Sequence, residues 1–187
     1  MQKKIVDRVK SDVTSSLGIY SVLISLYIIG FITGTIALSA LSNESSEVVL
    51  SDFKNSITVF TTGYNLFYCA FVSIMNNALT IGLILLSIKY KFFLFPSAIN
   101  LIINALADGF SFRVLMSCEG VAGILCGIFV ILIPAIIFGI SRFKLFKTAY
   151  KDYKSVDQGI VVFWVLFSFF GVLYQIIAEP IVFNWIF

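Results

Sequence analysis

The sequence predicts an all-α protein, a polytopic membrane bundle of about five transmembrane helices plus an extracytoplasmic amphipathic helix. Three observations lead to this fold class. The 187 residues are 59% hydrophobic and 12% charged, whereas ordinary soluble domains are about half apolar and about a quarter charged. Phe alone supplies 20 residues. The charges are concentrated between long apolar runs, most of which approach the ~20 residues that a transmembrane helix needs.

The same composition restricts the class of function. Five spans would use more than half of the chain, which leaves little for a soluble catalytic domain of ~100 residues. The sequence has no His, so the commonest general base and metal ligand is absent. It also contains no phosphate-binding glycine loop and no metal-ligand cluster. We therefore predict a protein that is not an enzyme, with no catalytic, cofactor-binding or metal-binding residues and no nucleic-acid partner.

The first predicted span covers residues 17–41, which carry no charge. This run is longer than the 7–15-residue core of a signal peptide, so it is read as an uncleaved span. Within it, Gly30 and Gly34 have a spacing that permits close approach of two helices. Gly123 and Gly127 repeat that spacing later in the chain. Packing within the chain is the favoured interpretation of both pairs, ahead of dimerisation.

Residues 44–65 predict an amphipathic helix outside the membrane. Val49, Phe53, Ile57 and Phe60 recur at steps of four and three, which places them on one helical face, and polar residues occupy the opposite face. Two arrangements agree equally well with this pattern. The helix lies along the outer membrane surface, or it packs on the bundle as a lid.

The remaining predicted spans are 66–88, 92–107, 120–140 and 159–186, with polar loops at 108–119 and 142–158. The 92–107 run has 16 residues, which barely cross the ~30 Å hydrocarbon layer. It is therefore either a short full span or a re-entrant helix. Because no repeat or linker divides the chain, residues 1–187 are predicted to form a single integral membrane domain.

The distribution of Lys and Arg predicts an orientation in the cell membrane. With a cytoplasmic N-terminus, five spans place the C-terminus outside. The cytoplasmic stretches then hold four, two and five Lys or Arg residues, 11 of the 13 in the chain. Only Lys54 and Arg113 remain outside, as the positive-inside rule requires.

A few polar residues interrupt the apolar runs and form a candidate intramembrane polar face. Asn100, Asn104 and Asp108 are spaced i, i+4, i+8 and share one side of a helix. The other members are Asn76, Asn77 and Glu179, the last preceding Pro180. Such residues either line a polar pathway or binding crevice, or form interhelical hydrogen bonds of ~0.6 kcal/mol each. The second interpretation is favoured.

Several short stretches resemble the stage II sporulation protein M family of polytopic bacterial membrane proteins. They are Ser73-Ile74-Met75-Asn76-Asn77, Leu101-Ile102-Ile103-Asn104-Ala105, the run from Gly127 to Pro134-Ala135, and Glu179-Pro180. The sequence departs from the family at Cys126, where many relatives carry His, and at Ala105, where Gly is usual. An acidic residue that many relatives carry shortly after that His is also missing.

The resemblance implies a non-enzymatic scaffold that localises extracytoplasmic partners, of the kind that anchors the stage II sporulation proteins P and D during peptidoglycan remodelling in engulfment. The predicted docking surface comprises Val49, Phe53, Ile57, Phe60, Arg113 and Glu119. The alternative is a transporter or channel component that uses the polar face. The lipid bilayer is the other expected partner, and a homo-oligomer is left open.

Overall fold

The computed structural model describes the backbone of residues 2–63, 66–150 and 156–186, and the side chains of 18–55, 70–150, 156–178 and 180–185. Its helices are α1 (Gln2–Ala37), α2 (Asn43–Gly63), α3 (Leu66–Lys89), α4 (Leu94–Gly127), α5 (Ile133–Tyr150) and α6 (Gln158–Ile186). A five-residue π-helical segment, Ile128–Leu132, joins α4 to α5. No strand occurs within these ranges. The predicted all-α bundle is confirmed.

Four segments are long and apolar enough to cross a membrane: Gly18–Ala40, Ala70–Lys89, Lys91–Tyr150 and Gln158–Trp185. The third contains 60 residues, and it reverses direction at Gly120. There φ is 56° and ψ is −121°, a conformation that glycine adopts because it lacks a Cβ atom. This segment is therefore long enough for two passes, one on each side of Gly120.

The reversal at Gly120 is tight and brings the two arms of the hairpin back against each other. A Cβ atom on Gly123 would lie 2.0 Å from the carbonyl oxygen of Leu115, so this close approach requires glycine. At the other end, the Lys91 ammonium donates a hydrogen bond to the carbonyl oxygen of Ala149. The two arms thus run antiparallel and are joined without a loop.

Helix α1 packs backbone to backbone against α4. A Cβ atom on Gly34 would lie 2.1 Å from the Leu106 carbonyl oxygen, and one on Gly109 would lie 2.0 Å from the Phe31 carbonyl oxygen. A Cβ atom on Gly30 would also lie 3.0 Å from that of Ala105. The preference for packing within the chain is therefore confirmed for this glycine pair.

The predicted loop at 108–119 is wrong, because α4 continues through it as helix. Asp108 does not mark the membrane surface: its carboxylate accepts a hydrogen bond from the Tyr27 hydroxyl at 2.7 Å, and Gly109 lies in the contact with α1. The helix from 94 to 119 is about 39 Å long at 1.5 Å per residue. That length exceeds ~30 Å of hydrocarbon, so the structure favours a full span over a re-entrant helix.

The predicted loop at 142–158 is also wrong for its first part, because α5 extends to Tyr150. Its buried side chains, including Arg142, Leu145, Phe146 and Ala149, recur at helical spacing and face the bundle. Charge alone suggested a loop here, whereas this part is an amphipathic helix. Residues 151–155 lie outside the described part of the chain.

The interior has two apolar clusters, one toward each end of the bundle. One contains Leu23, Ile81, Ile84, Leu101, Leu145 and Phe146. The other contains Leu115, Cys126, Val130 and Phe183, and Phe53 of α2 packs against it. The Cys118 thiol also donates to the Leu50 carbonyl oxygen at 3.8 Å. Helix α2 therefore packs against the Gly120 end of the bundle, which favours the lid arrangement.

Candidate intramembrane site

A cavity of about 280 Å³ lies within the bundle, and residues from all six helices line it. Four residues of the predicted polar face line its wall: Asn76, Asn77, Asn104 and Asp108. Five further polar residues were not predicted as site residues: Tyr27, Ser73, Ser111, Arg142 and Gln175. The side chain of Glu179, the remaining member of the predicted face apart from Asn100, lies outside the described residues.

Asn100 joins this site through a hydrogen-bond network between α3 and α4. The Thr80 hydroxyl donates to Asn100 Oδ1 at 2.8 Å, and Asn104 Nδ2 donates to the same oxygen at 3.0 Å. Asn104 Nδ2 also lies 3.2 Å from Thr80 Oγ1. This part of the polar face forms interhelical hydrogen bonds, as the favoured interpretation predicts. It also fixes the Asn104 amide at the cavity wall.

Asp108 supplies a carboxylate on the α4 side of the cavity. Tyr27 Oη donates to its Oδ2 atom at 2.7 Å, and both residues line the cavity. The two residues are 81 positions apart in sequence, so this contact depends on the close packing of α1 on α4. The hydrogen bond holds the carboxylate in a defined position beside the cavity.

Asn77 supplies a donor on the α3 side. Its side chain is 1% exposed, and its Oδ1 atom accepts a hydrogen bond from the Ser168 hydroxyl at 2.8 Å. Its Nδ2 atom is buried and finds no hydrogen-bond partner among the described residues. Buried polar groups in proteins are almost always paired, so this amide retains unused donor capacity in a residue that lines the cavity.

Arg142 supplies a second donor, from α5. The side chain is 6% exposed, and its guanidinium carbon lies 4.9 Å from the ring centroid of Phe138. Its Nε atom is buried and has no partner among the residues described. The sequence did carry a signal for this placement, because Phe138, Arg142 and Leu145 lie on one helical face. The adjacent lysines concealed that signal.

The π-helical segment Ile128–Leu132 shapes another part of the wall. A π-helical turn is wider than an α-helical one and often occurs at functional sites. Val130, Ile131 and Pro134 line the cavity here, and the Phe129 carbonyl oxygen accepts a hydrogen bond from the Tyr174 hydroxyl at 3.1 Å. The irregular backbone is thus held by α6 and presents an apolar surface to the cavity.

The structure does not gather the predicted docking residues on one free surface. Phe53 is half-buried and lines the cavity, and Val49 is also half-buried. Ile57 and Phe60 belong to α2, but their side chains lie outside the described residues. Arg113 and Glu119 are half-buried on α4, and the Arg113 Nε atom is buried without a partner among the described residues.

Taken together, the residues that line the cavity carry unused N–H donors on α3 and α5 and a carboxylate on α4. Near the Gly120 end, Phe53, Leu115, Val130 and Phe183 give it an apolar wall. Such a combination can hold a small molecule that has polar and apolar parts. No family model, curated protein or solved structure matches the chain. The resemblance to the stage II sporulation protein M family therefore stays a prediction.

Proposed function

We propose that this protein binds a small polar solute in the intramembrane cavity and works as a transporter or as a component of one. The placement of Arg142 carries the proposal. It is a nearly fully buried guanidinium that lines a cavity and retains an unpaired N–H group. Ionisable residues within membrane spans are costly, almost always face the bundle interior or a water-filled cavity, and mark substrate or ion pathways.

The hydrogen bonding of the polar residues supports this role over packing alone. Thr80, Asn100 and Asn104 bond to one another, as residues that join two helices should. Asn77 and Arg142 instead retain buried N–H groups that the described residues leave unpaired. Helix association would be better served by apolar side chains at these two positions, because an unsatisfied buried donor destabilises the fold by ~1–3 kcal/mol.

The proposed orientation keeps the N-terminus in the cytoplasm and the C-terminus outside. Because Arg142 is buried in the bundle, it does not contribute to the charge at the membrane surface. Ten of the other 12 Lys and Arg residues still fall on the cytoplasmic side, since the chain has 13 in total. The positive-inside asymmetry is therefore preserved, and the Gly120 end of the bundle faces outward.

A water-accessible cavity is the direct test of the proposal. In a chain whose native cysteines are replaced by Ala, Ser111→Cys is expected to react with a small, charged methanethiosulfonate reagent, because Ser111 lines the cavity. Labelling of the purified protein in liposomes is followed by mass spectrometry. We expect a labelling rate at least ~10-fold above that of a dry buried position, since only a hydrated thiol ionises and reacts readily.

Ser97→Cys is the matched control. Ser97 is also on α4 and is 1% exposed, but it lies against Ser87 at 3.4 Å and not in the cavity. If Ser111→Cys were labelled as slowly as Ser97→Cys, the cavity would be dry and the proposed role would be wrong. Exchange of labelled solutes by proteoliposomes, with Asn104→Ala expected to slow it, then measures transport itself.

A scaffold for extracytoplasmic proteins is the second candidate, and the exposed side of α2 favours it. While Phe53 packs inward, Glu44, Glu47 and Val48 are exposed, Val48 by 56%. Under the proposed orientation, this acidic side of α2 faces the extracytoplasmic space, where peptidoglycan hydrolases act. It is the kind of surface from which a membrane anchor could recruit a soluble partner.

The scaffold proposal is tested with a triple variant of Glu44→Lys, Glu47→Lys and Val48→Ser, which keeps Phe53 and the bundle contacts. We expect the variant to recover at least ~10-fold less of a co-expressed peptidoglycan hydrolase, such as one similar to stage II sporulation protein P or D, than the wild type does. The reason is that the variant loses charged contacts at the rim and an apolar contact. Equal recovery would exclude this surface. The same substitutions should leave Ser111→Cys labelling unchanged.

A further inference from the structure

We propose that the cavity binds a small amino-acid-like zwitterion, with its carboxylate at Arg142 and Asn77 and its ammonium group at Asp108. The inference rests on the proposed solute-binding role and names the class of solute. It follows from three features of the residues that line the cavity: the unpaired N–H donors of Arg142 and Asn77, the carboxylate of Asp108, and the apolar side chains toward Gly120.

The unpaired groups specify an acceptor in the ligand. Arg142 Nε and Asn77 Nδ2 are both N–H donors without a partner among the described residues, and both belong to residues that are at least nine-tenths buried and that line the cavity. Nitrogen donors of this kind are satisfied by oxygen atoms. A carboxylate has two oxygens that can accept from two donors, and guanidinium groups bind carboxylates with favourable geometry. One end of the ligand is therefore an oxyanion.

Asp108 specifies the opposite charge at a second point. A purely anionic ligand would be repelled by this carboxylate, which lines the same cavity. A zwitterion avoids that repulsion because its ammonium group supplies donors to Asp108. The Tyr27 hydroxyl occupies Oδ2, so Oδ1 is the natural acceptor for the ligand. Asn104, one helical turn from Asp108, lines the same cavity.

The apolar wall specifies the remainder of the molecule. Leu115 lies seven residues beyond Asp108 on α4, which is about 10 Å farther toward Gly120. Val130, Phe53 and Phe183 face the cavity in this same region. A ligand whose charged groups lie between Arg142 and Asp108 would direct its side group toward these residues. We therefore expect an amino acid with an aliphatic side chain, such as leucine.

Thermal unfolding of the full chain in dodecyl maltoside, with increasing concentrations of three compounds, tests the assignment. L-Leucine carries both charges, L-leucinamide lacks the carboxylate, and 4-methylpentanoate lacks the ammonium group. A ligand that binds the native state raises Tm by an amount that grows with the logarithm of the ratio of its concentration to its Kd, so the concentration dependence of Tm gives the Kd of each compound. We expect leucine to bind the wild type roughly 10-fold to 100-fold more tightly than either analogue, as loss of one charge-assisted contact should give.

Two variants should change the order in which the protein binds these compounds, each in favour of a different analogue. Arg142→Gln should favour leucinamide over leucine, because the site then retains only the negative charge of Asp108. Asp108→Asn keeps an acceptor for Tyr27 and should favour 4-methylpentanoate, because only Arg142 remains charged. If these residues acted only in folding, each substitution would weaken the binding of all three compounds equally. Lys147→Gln, which removes a cation from the same helix outside the cavity, should preserve the wild-type order.

The outcomes separate the ligand class from the proposed function. If Ser111→Cys is labelled rapidly but none of the compounds raises Tm or slows labelling, the cavity is hydrated and the zwitterion assignment is wrong. If O-phosphoethanolamine raises Tm and leucine does not, the oxyanion is a phosphate, as in a lipid headgroup, and the carboxylate assignment is wrong. If Ser111→Cys is not labelled, both proposals fail. Because the selectivity is a ratio within each variant, partial loss of stability does not obscure it.

Discussion

Replacing Gly109 by Ala is expected to destabilise the bundle by about 3 kcal/mol or more, enough to remove most of the folded protein. A Cβ atom at this position would lie 2.0 Å from the carbonyl oxygen of Phe31. That neighbour is the backbone of α1, which cannot rotate away as a side chain would. The clash could be relieved only if α1 moved away from α4. The free-energy cost of such overpacking should therefore lie at the upper end of the usual range for overpacked cores. Thermal unfolding and the monodisperse yield in detergent measure the effect.

Gly82→Ala is the matched control for Gly109→Ala. Gly82 also lies within a helix, α3, but a Cβ atom there would meet nothing within 4 Å. Because Ala is a better helix former than Gly by ~0.5–1 kcal/mol, this variant should match or slightly exceed the wild type in Tm. If Gly109→Ala melted at the same temperature as Gly82→Ala, the close packing of α1 on α4 would be wrong.

Asp108→Leu is expected to destabilise the protein by about 3–5 kcal/mol, because it leaves Arg142 as an uncompensated buried cation. The variant also removes the acceptor of the Tyr27 hydroxyl, which leaves a second polar group unpaired. Adding Arg142→Met should recover most of the loss, since two opposite charges that line one cavity can often both be replaced by apolar side chains at little cost. Thermal unfolding of the wild type, both single variants and the double variant gives the coupling energy.

The control for this cycle pairs Asp108→Leu with Lys147→Met. Lys147 belongs to the same helix as Arg142 but does not line the cavity, so the two substitutions should be additive within about 0.5 kcal/mol. A coupling energy near zero for Asp108 with Arg142 would show that Asp108 does not stabilise the buried guanidinium, and this explanation of the Asp108→Leu effect would be wrong.

Three of the spans were predictable because their apolar runs are long and carry at most one charge, Glu179 in the last run. Helix α6, Gln158–Ile186, agrees closely with the predicted 159–186, and α3, Leu66–Lys89, agrees with 66–88. Helix α1 already begins at Gln2, but its apolar segment, which runs on to Ala40, begins at Gly18 and agrees with the predicted 17–41. The ends of α4 and α5 were missed for one physical reason. Asp108 and Arg142 were taken to mark the membrane surface, although both line a cavity between the helices. Sequence alone does not separate a charge in water from a charge in a polar cavity.

The candidate site was predictable only where its residues share a helix. The i, i+4 spacing was enough to place Asn104 and Asp108 on one face. Tyr27 and Arg142 lie on other helices, 81 and 34 positions from Asp108, and nothing in their local sequence indicates that they line the same cavity as Asp108. Their contribution depends on how α1 and α5 pack, and for α1 that packing is set by glycines whose neighbours are backbone atoms.

The tight turn at Gly120 also bears on the order in which the chain enters the membrane during synthesis. A charge inserted alone at the centre of a span disfavours insertion by ~2.5–3.5 kcal/mol. Tyr27 is synthesised before Asp108, so the carboxylate finds a hydrogen-bond donor already in the bilayer when its helix arrives. Arg142 follows on the second arm, and because no loop separates the arms, the hairpin can leave the translocon as one unit. The guanidinium then enters a site where the opposite charge is already present.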